Sequence, residues 1–335
     1  MTKKFTLGVH TFITNPFSAG YLAYLASIES WAKIADEVVV VDGGSTDCSI
    51  EMLSNWLGFL NNKIRIVISP ESFWGQGDNW CWPQIAINRQ IGLNALTTDW
   101  AIHVDADHVC VKESTIKFLR QLECLTDTIL LSMHVGFYYN GKYHYRKRKR
   151  AWILNLSKIR SGNLKIGYGI DRKSKFGLDY PILIEDEQSF TDPLTGFKKK
   201  YYIGNSIKSD ATVDLECLRY GHFFFNRDQC LEKCLRIERA IGRFGNHPVK
   251  NSDEILLELN LNNIIGYEKK EDILKKNHPE EISRLIDRFY VEGMLGGAIY
   301  KSPGVQNNLR TLWTRWRRRL GKPLYYFNKC KLILP

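Results

Sequence analysis

An α/β fold with a mainly parallel central sheet flanked by helices is predicted for this chain of 335 residues, on three observations. Short apolar runs alternate with stretches of helical spacing from the N-terminus to about Leu125. Val38 to Val41 is apolar at every position, as befits a strand buried on both faces of a parallel sheet. Two of the apolar runs end in acids, at Asp42 and at Asp105-Ala106-Asp107.

Each element follows from local pattern. Leu7 to Ile13 reads as the first strand, and Tyr21 to Ile34 as a helix with apolar spacing near 3.6. Glu37 to Val41 is the second strand. Ser45, Thr46 and Asp47 are helix-capping residue types, so a helix is expected from Cys48 through Leu57. Ile64 to Ile68 is the third strand, Gln84 to Leu96 the next helix, and Trp100 to Val104 the fourth strand. Ile129 to Phe137 reads as a further strand. Lys142 to Arg150 is basic with interleaved aromatics (Tyr143, His144, Tyr145). Ser161 to Ser209 shows little periodicity, so loops and short strands are expected. Helices return at Asp228 to Arg243, Asp253 to Leu261 and Pro279 to Tyr290, the last entered through a proline. In such sheets ligands bind beyond the carboxyl ends of the strands, where Asp42, Asp105 and Asp107 sit.

The composition, 44% hydrophobic and 25% charged, is that of an ordinary globular protein and excludes disorder. No apolar run reaches the ~18 residues that cross a bilayer. Met1-Thr2-Lys3-Lys4 leads into a strand with no signal-peptide pattern, so a cytoplasmic protein is expected. The eight cysteines are scattered without a C-x-x-C pair and read as reduced thiols. The net charge of +11 is uneven: residues 142–175 hold twelve Lys or Arg against one acid, and residues 309–335 hold eight against none. The rest of the chain is therefore net acidic, with two basic surfaces set on it for anionic partners.

Two carboxylates one residue apart on a turn leaving a strand offer oxygen ligands to a hard cation such as Mg or Mn. An Asp-x-Asp triplet alone reads more often as a solvated turn than as a metal site. Here it ends an apolar strand in a series whose second strand already ends in Asp42.

Val41-Asp42-Gly43-Gly44-Ser45-Thr46-Asp47, the Asp105-Ala106-Asp107 triplet, Arg89-Gln90-Ile91-Gly92-Leu93 and His222-Phe223-Phe224-Phe225-Asn226-Arg227-Asp228 together resemble the motifs of the inverting family 2 glycosyltransferases of the GT-A fold. The first stretch is similar to that family's V-D-D-G-S-T-D, the second to its D-x-D, the third to A-R-N-x-G-L and the fourth to H-Y-G-Y-V-R-D. The strong part of the likeness covers roughly residues 5–125, with a separate echo at 215–245. It implies a GT-A catalytic domain over 1–245, divided into a nucleotide-sugar half (1–125) and an acceptor half (126–245) that carries the basic insert 142–175. A helical region, 246–335, follows, with a basic amphipathic tail over 307–335.

The resemblance further implies a metal-dependent transfer of a sugar from a nucleotide-diphosphate donor to a glycan or lipid-linked acceptor, in cell-surface polysaccharide or lipopolysaccharide synthesis. Thr11, Asp42, Arg89 and Asp105 inherit donor contacts. Asp105, Asp107 and His222 inherit a Mn or Mg site, although His222, followed by three phenylalanines, reads also as a hydrogen-bonded core residue. Gly43 stands where many members carry a second aspartate that contacts the base, so the base is left open. An inverting transfer needs a carboxylate that takes the acceptor proton. The candidates are Asp179, Glu185, Asp186, Glu187 and Asp192, with Asp186 first and Glu185 second, because Ile184-Glu185-Asp186-Glu187 looks most like an acidic motif closing a strand.

In the tail, Leu309, Leu312, Trp313, Trp316 and Leu320 share one helical face, and Arg310, Arg315, Arg317, Arg318 and Arg319 supply the rest. Such a helix suits an anionic membrane surface, or packs on the catalytic domain with its basic side in water. Arg146 to Arg150 reads as a solvated or membrane-facing strand or as a holder of an acidic acceptor; no nucleic-acid motif accompanies it. A sugar nucleotidyltransferase would need a glycine-rich basic loop where Thr14-Asn15-Pro16-Phe17-Ser18 stands, and a basic protein without catalysis leaves Asp105 and Asp107 without a use.

Overall fold

A computed structural model describes residues 5–69, 82–139, 142–173, 177–191 and 198–221, isolated positions between 196 and 253, and residues 278–289. Its spine is an eight-stranded sheet in the order β3-β2-β1-β4-β7-β6-β11-β5. These strands are β1 (Leu7–Ile13), β2 (Glu37–Asp42), β3 (Ile64–Ile68), β4 (Trp100–His103), β5 (His108–Cys110), β6 (Leu130–Tyr139), β7 (Lys142–Asn155) and β11 (Ala211–Arg219). Strands β1 to β4 run parallel to one another. Strand β7 joins them antiparallel to β4, and the sheet then continues through β6, β11 and the short β5.

Helices α1 (Ala23–Ala32), α2 (Ser49–Leu57), α3 (Trp82–Ala95), α4 (Lys112–Cys124), α5 (Leu156–Ser161) and α6 (Glu280–Phe289), with a 3-10 turn at Gly58–Lys63, accompany this sheet outside a second, smaller one. The core explains the order. Val38, Val39, Val40 and Val41 are each at most 1% exposed, so β2 is buried on both faces as its unbroken apolar run requires. Helix α1 is buried along its whole length. Helix α6 adds Ile282, Leu285 and Ile286 to the same apolar cluster, and its Arg284 and Glu281 pair with Glu29 and Lys33 of α1. Cys110 and Cys217 lie opposite each other on β5 and β11 as free thiols.

The expectation of loops and short strands over Ser161 to Ser209 is corrected. Strands β8 (Ile166–Asp171), β9 (Gly177–Thr191) and β10 (Lys198–Ser206) pair with one another in a closed three-stranded unit. The alternation was hidden because so many of its positions face water: in β9 Glu185, Asp186, Glu187 and Gln188 are all exposed in succession. Lysines also occupy inward positions, since Lys199 is 3% exposed and donates from Nζ to Gln84 Oε1 at 2.8 Å. The Gln90 side chain likewise accepts from the Tyr168 backbone at 2.7 Å, so α3 is fastened to this unit at two points. The helices expected at 253–261 and the tail 307–335 lie outside the described residues, apart from Asp253.

Candidate active site

The carboxyl ends of β1, β2 and β4 lie on one side of the sheet, and Asp42, Asp105 and Asp107 lie there. Asp42 closes β2, is 4% exposed, and accepts from Ser45 N at 3.0 Å and Ser45 Oγ at 2.5 Å. Gly44 within this turn has φ +78°, a conformation that favours glycine. Ser45 therefore serves the turn, and α2 starts after Cys48 with Asp47 Oδ1 just before it accepting from Ser49 N at 3.0 Å. The loop after β1 is stitched to this turn: Asn15 Oδ1 accepts from Thr46 N, and Asn15 N donates to Ser45 Oγ. Thr11 is buried on β1, and its Oγ1 has no hydrogen-bond partner among the described residues.

Asp105 and Asp107 leave β4 with His108, which opens β5. One side-chain ligand atom from each of these three lies within 4.8 Å of the others, the one such acidic-histidine group among the described residues. His108 Nδ1 is 3.0 Å from Asp107 Oδ1 and 3.9 Å from Asp105 Oδ2. Two carboxylates and one imidazole fit Mn or Mg, since oxygen suits both and nitrogen is accepted by Mn. Asp105 keeps 27% of its side chain open, whereas His108 keeps 2%.

Basic side chains surround the two acids. Arg89 Nη2 on α3 is 3.3 Å from Asp105 Oδ1, and the buried His103 Nε2 is 3.5 Å from the same oxygen. Arg219 Nε, at the end of β11, donates to Asp107 Oδ2 at 3.1 Å. Burial opposes ionisation of Asp105, but the hydrogen bond from His103 and the charges of Arg89, His108 and His103 outweigh it and hold its carboxyl well below the usual range. For Asp107 burial again opposes, and Arg219, His108 and Lys233 prevail, so its carboxyl also stays far below the ordinary value. The backbone tightens the corner, with Tyr220 N donating to Asp107 O at 2.8 Å. An ideal Cβ on Gly221 would stand 2.3 Å from Asp107 Oδ2, so this position admits no side chain as built.

Beneath Asp105 lies a ring cluster. His103 packs among His10, Tyr168 and Trp152 in tilted and edge-on contacts, with centroids 4.9, 5.4 and 5.8 Å away. Burial, with the nearby charges of His103 and Arg89, pushes the His10 imidazole far below histidine's usual range, so it is neutral. Gly92 lets α3 approach: a Cβ there would meet His10 Nδ1 at 2.6 Å.

The proposed base residues stand elsewhere. Glu185 and Asp186 are exposed on β9, in the small sheet, and none of their described contacts reaches the Asp105–Asp107 cluster. Glu185 is engaged by Arg172 Nε at 3.4 Å and by Asn205 Nδ2, whereas Asp186 Oδ1 accepts from the neighbouring Glu187 N. His222 lies outside the described residues, as does Asp192. Sequence reasoning missed His108, Arg219 and Tyr168. His108 had a signal, since it directly follows the acidic triplet, but nothing in the sequence showed that β5 folds its side chain back onto the acids.

Residues 22–177 match the family model described as glycosyl transferase family 2. No curated protein matches the chain in sequence. Among solved structures the chain is similar to S. aureus TarS 1-349 in complex with UDP, at 15% identity over 83% of this chain and 77% of that one, with a TM-score of 0.36. The same fragment in complex with UDP-GlcNAc gives 0.38 at the same identity and coverage. The mannosyltransferase PcManGT from Pyrobaculum calidifontis, in complex with GDP-Man and Mn2+, gives 0.39 at 12% identity, over 97% of this chain and 84% of that one.

Proposed function

We propose that this chain, whose residues 22–177 match the glycosyl transferase family 2 model, moves a sugar from a nucleotide-diphosphate donor to a glycan or lipid-linked acceptor, with inversion. The observation that carries the reading is the Asp105, Asp107 and His108 group at the carboxyl end of β4. Held there, Mn or Mg would supply positive charge beside the departing diphosphate. His222 is the further ligand that the motif likeness proposes.

The chain's own residues do the rest. Asp42 fixes the turn after β2 that walls the nucleotide side, and Thr11 offers a hydroxyl at the neighbouring strand. Arg89, buried behind Asp105 at 3.3 Å, holds that carboxylate in one orientation and adds its charge to the diphosphate end. During transfer the acceptor oxygen bonds to the anomeric carbon as the bond from that carbon to the diphosphate oxygen breaks. The acceptor proton passes to a carboxylate, for which we choose Asp186. Its only described side-chain contact is with the adjacent backbone N–H, whereas Glu185 is tied to Arg172. The basic strand β7 and the tail 307–335 are the surfaces proposed for the acidic or membrane-borne acceptor. No helix among the described residues is long and apolar enough to cross a membrane.

A thermal-shift screen of nucleoside diphosphates and their sugars with Mn tests the reading. Stabilisation by one nucleotide, lost in Asp107→Asn, is expected. Failure of every nucleotide to stabilise the protein would refute it.

A further inference from the structure

The carboxylate of Asp107 is engaged at both oxygens. Arg219 Nε holds Oδ2 at 3.1 Å, and His108 Nδ1 stands 3.0 Å from Oδ1. Lys233, buried and 3.3 Å from the Gly221 carbonyl, adds a second full cation nearby. Asp107 itself is only 9% exposed at its side chain, while Arg219 keeps 34%. One partner is thus locked in place, and the other sits at the rim with solvent beside it. A divalent ion that engages Asp107 brings two positive charges within a few ångströms of that guanidinium, and like charges at such separation in a half-buried site repel.

Resting on the metal-dependent reading above, we propose that Arg219 is the built-in rival of the divalent cation. It neutralises Asp107 in the cation-free protein, leaves Oδ2 when the cation loads, and then offers its guanidinium to the donor's diphosphate. A planar guanidinium suits that task because it pairs two phosphate oxygens at once. The exchange keeps the buried carboxylate compensated in both states, which avoids the large penalty of an unpaired buried charge.

Titration of the full chain with Mn alone, followed by electron paramagnetic resonance or calorimetry, tests this directly. Arg219→Gln is expected to bind Mn about tenfold more tightly than the parent, and Arg219→Lys, which keeps the charge, to stay near it. With Mn saturating, inorganic pyrophosphate is expected to bind Arg219→Gln several-fold more weakly. If the Gln variant fails to fold by its thermal melt, Arg219→Met replaces it, keeping the apolar stem. Unchanged or weaker Mn affinity in the uncharged variant, with Mn binding lost in Asp107→Asn, overturns the rivalry and leaves the metal reading standing. Mn binding that is absent, or indifferent to Asp107→Asn, overturns both.

Discussion

The end of β4 and the middle of β9 both carry neighbouring acids, yet they are opposite in construction. Around Asp105 and Asp107 the acids are flanked by Arg89, His103, His108 and Arg219, on strands whose apolar residues are almost wholly buried. On β9, Glu185, Asp186 and Glu187 stand in water and pair with Arg172, Lys200 or backbone. Acids in the first setting cost folding energy unless they are compensated, so their presence needs a purpose. In the second setting they cost nothing, and their presence alone carries little information. A general base drawn from β9 must therefore be identified by chemistry, and activity measurements bear on the contrast most strongly.

The largest expected effect follows from that. Asp186→Asn should lower transfer by about 10³-fold with donor binding retained, while Glu185→Gln stays within about tenfold. Equal losses in both, or in neither, would erase the distinction drawn between them on β9; steady-state kinetics with donor-binding isotherms decide. Next comes packing. Ile102→Ala on β4, wholly buried, should cost about 3 kcal/mol in urea unfolding. Leu183→Ala on β9, 46% exposed, should fall within about 0.5 kcal/mol. Similar values for the two would show that the small sheet is as integral to stability as the large one.

The smallest effect concerns pH. Asp99 accepts from Thr6 and Ser157, joining the start of β1 to α5. The Ser157 hydrogen bond chiefly, then that from Thr6, lowers its pKa below the ordinary carboxylate value. A depressed folded-state value means that its stabilisation is full above the unfolded pKa of about 4 and is lost as pH falls through the lower folded value. Asp99→Asn should thus cost about 1 kcal/mol at neutral pH, after allowance for partial exposure, and the gap should shrink below about pH 4. A gap unchanged down to about pH 3 would contradict this.

The same contrast governs how much was legible in the sequence. The strands β1 to β4 and the helices among them were readable from short apolar runs set between stretches of helical spacing, and burial on both faces makes the run unbroken at Val38 to Val41. Asp42, Asp105 and Asp107 were readable because acids terminate those runs. The small sheet was not, since β9 sets four polar residues in succession in water and β10 places Lys199 inward by pairing it with Gln84. Nor was Arg219, more than a hundred residues from the acid it holds, because a contact across that separation exists only once β11 lies beside β5. His108 fell between these cases, adjacent in sequence to the acids yet given no role there.

Gly221 places a limit on heritable change in this protein. Most positions in a turn drift freely, but any substitution here would thrust an atom against the carboxylate of Asp107. Residue 221 and residue 107 are therefore bound to a common fate: a lineage that altered the glycine would have to shorten, move or abandon the acid as well. Where the two vary in relatives of this chain, they are expected to vary together.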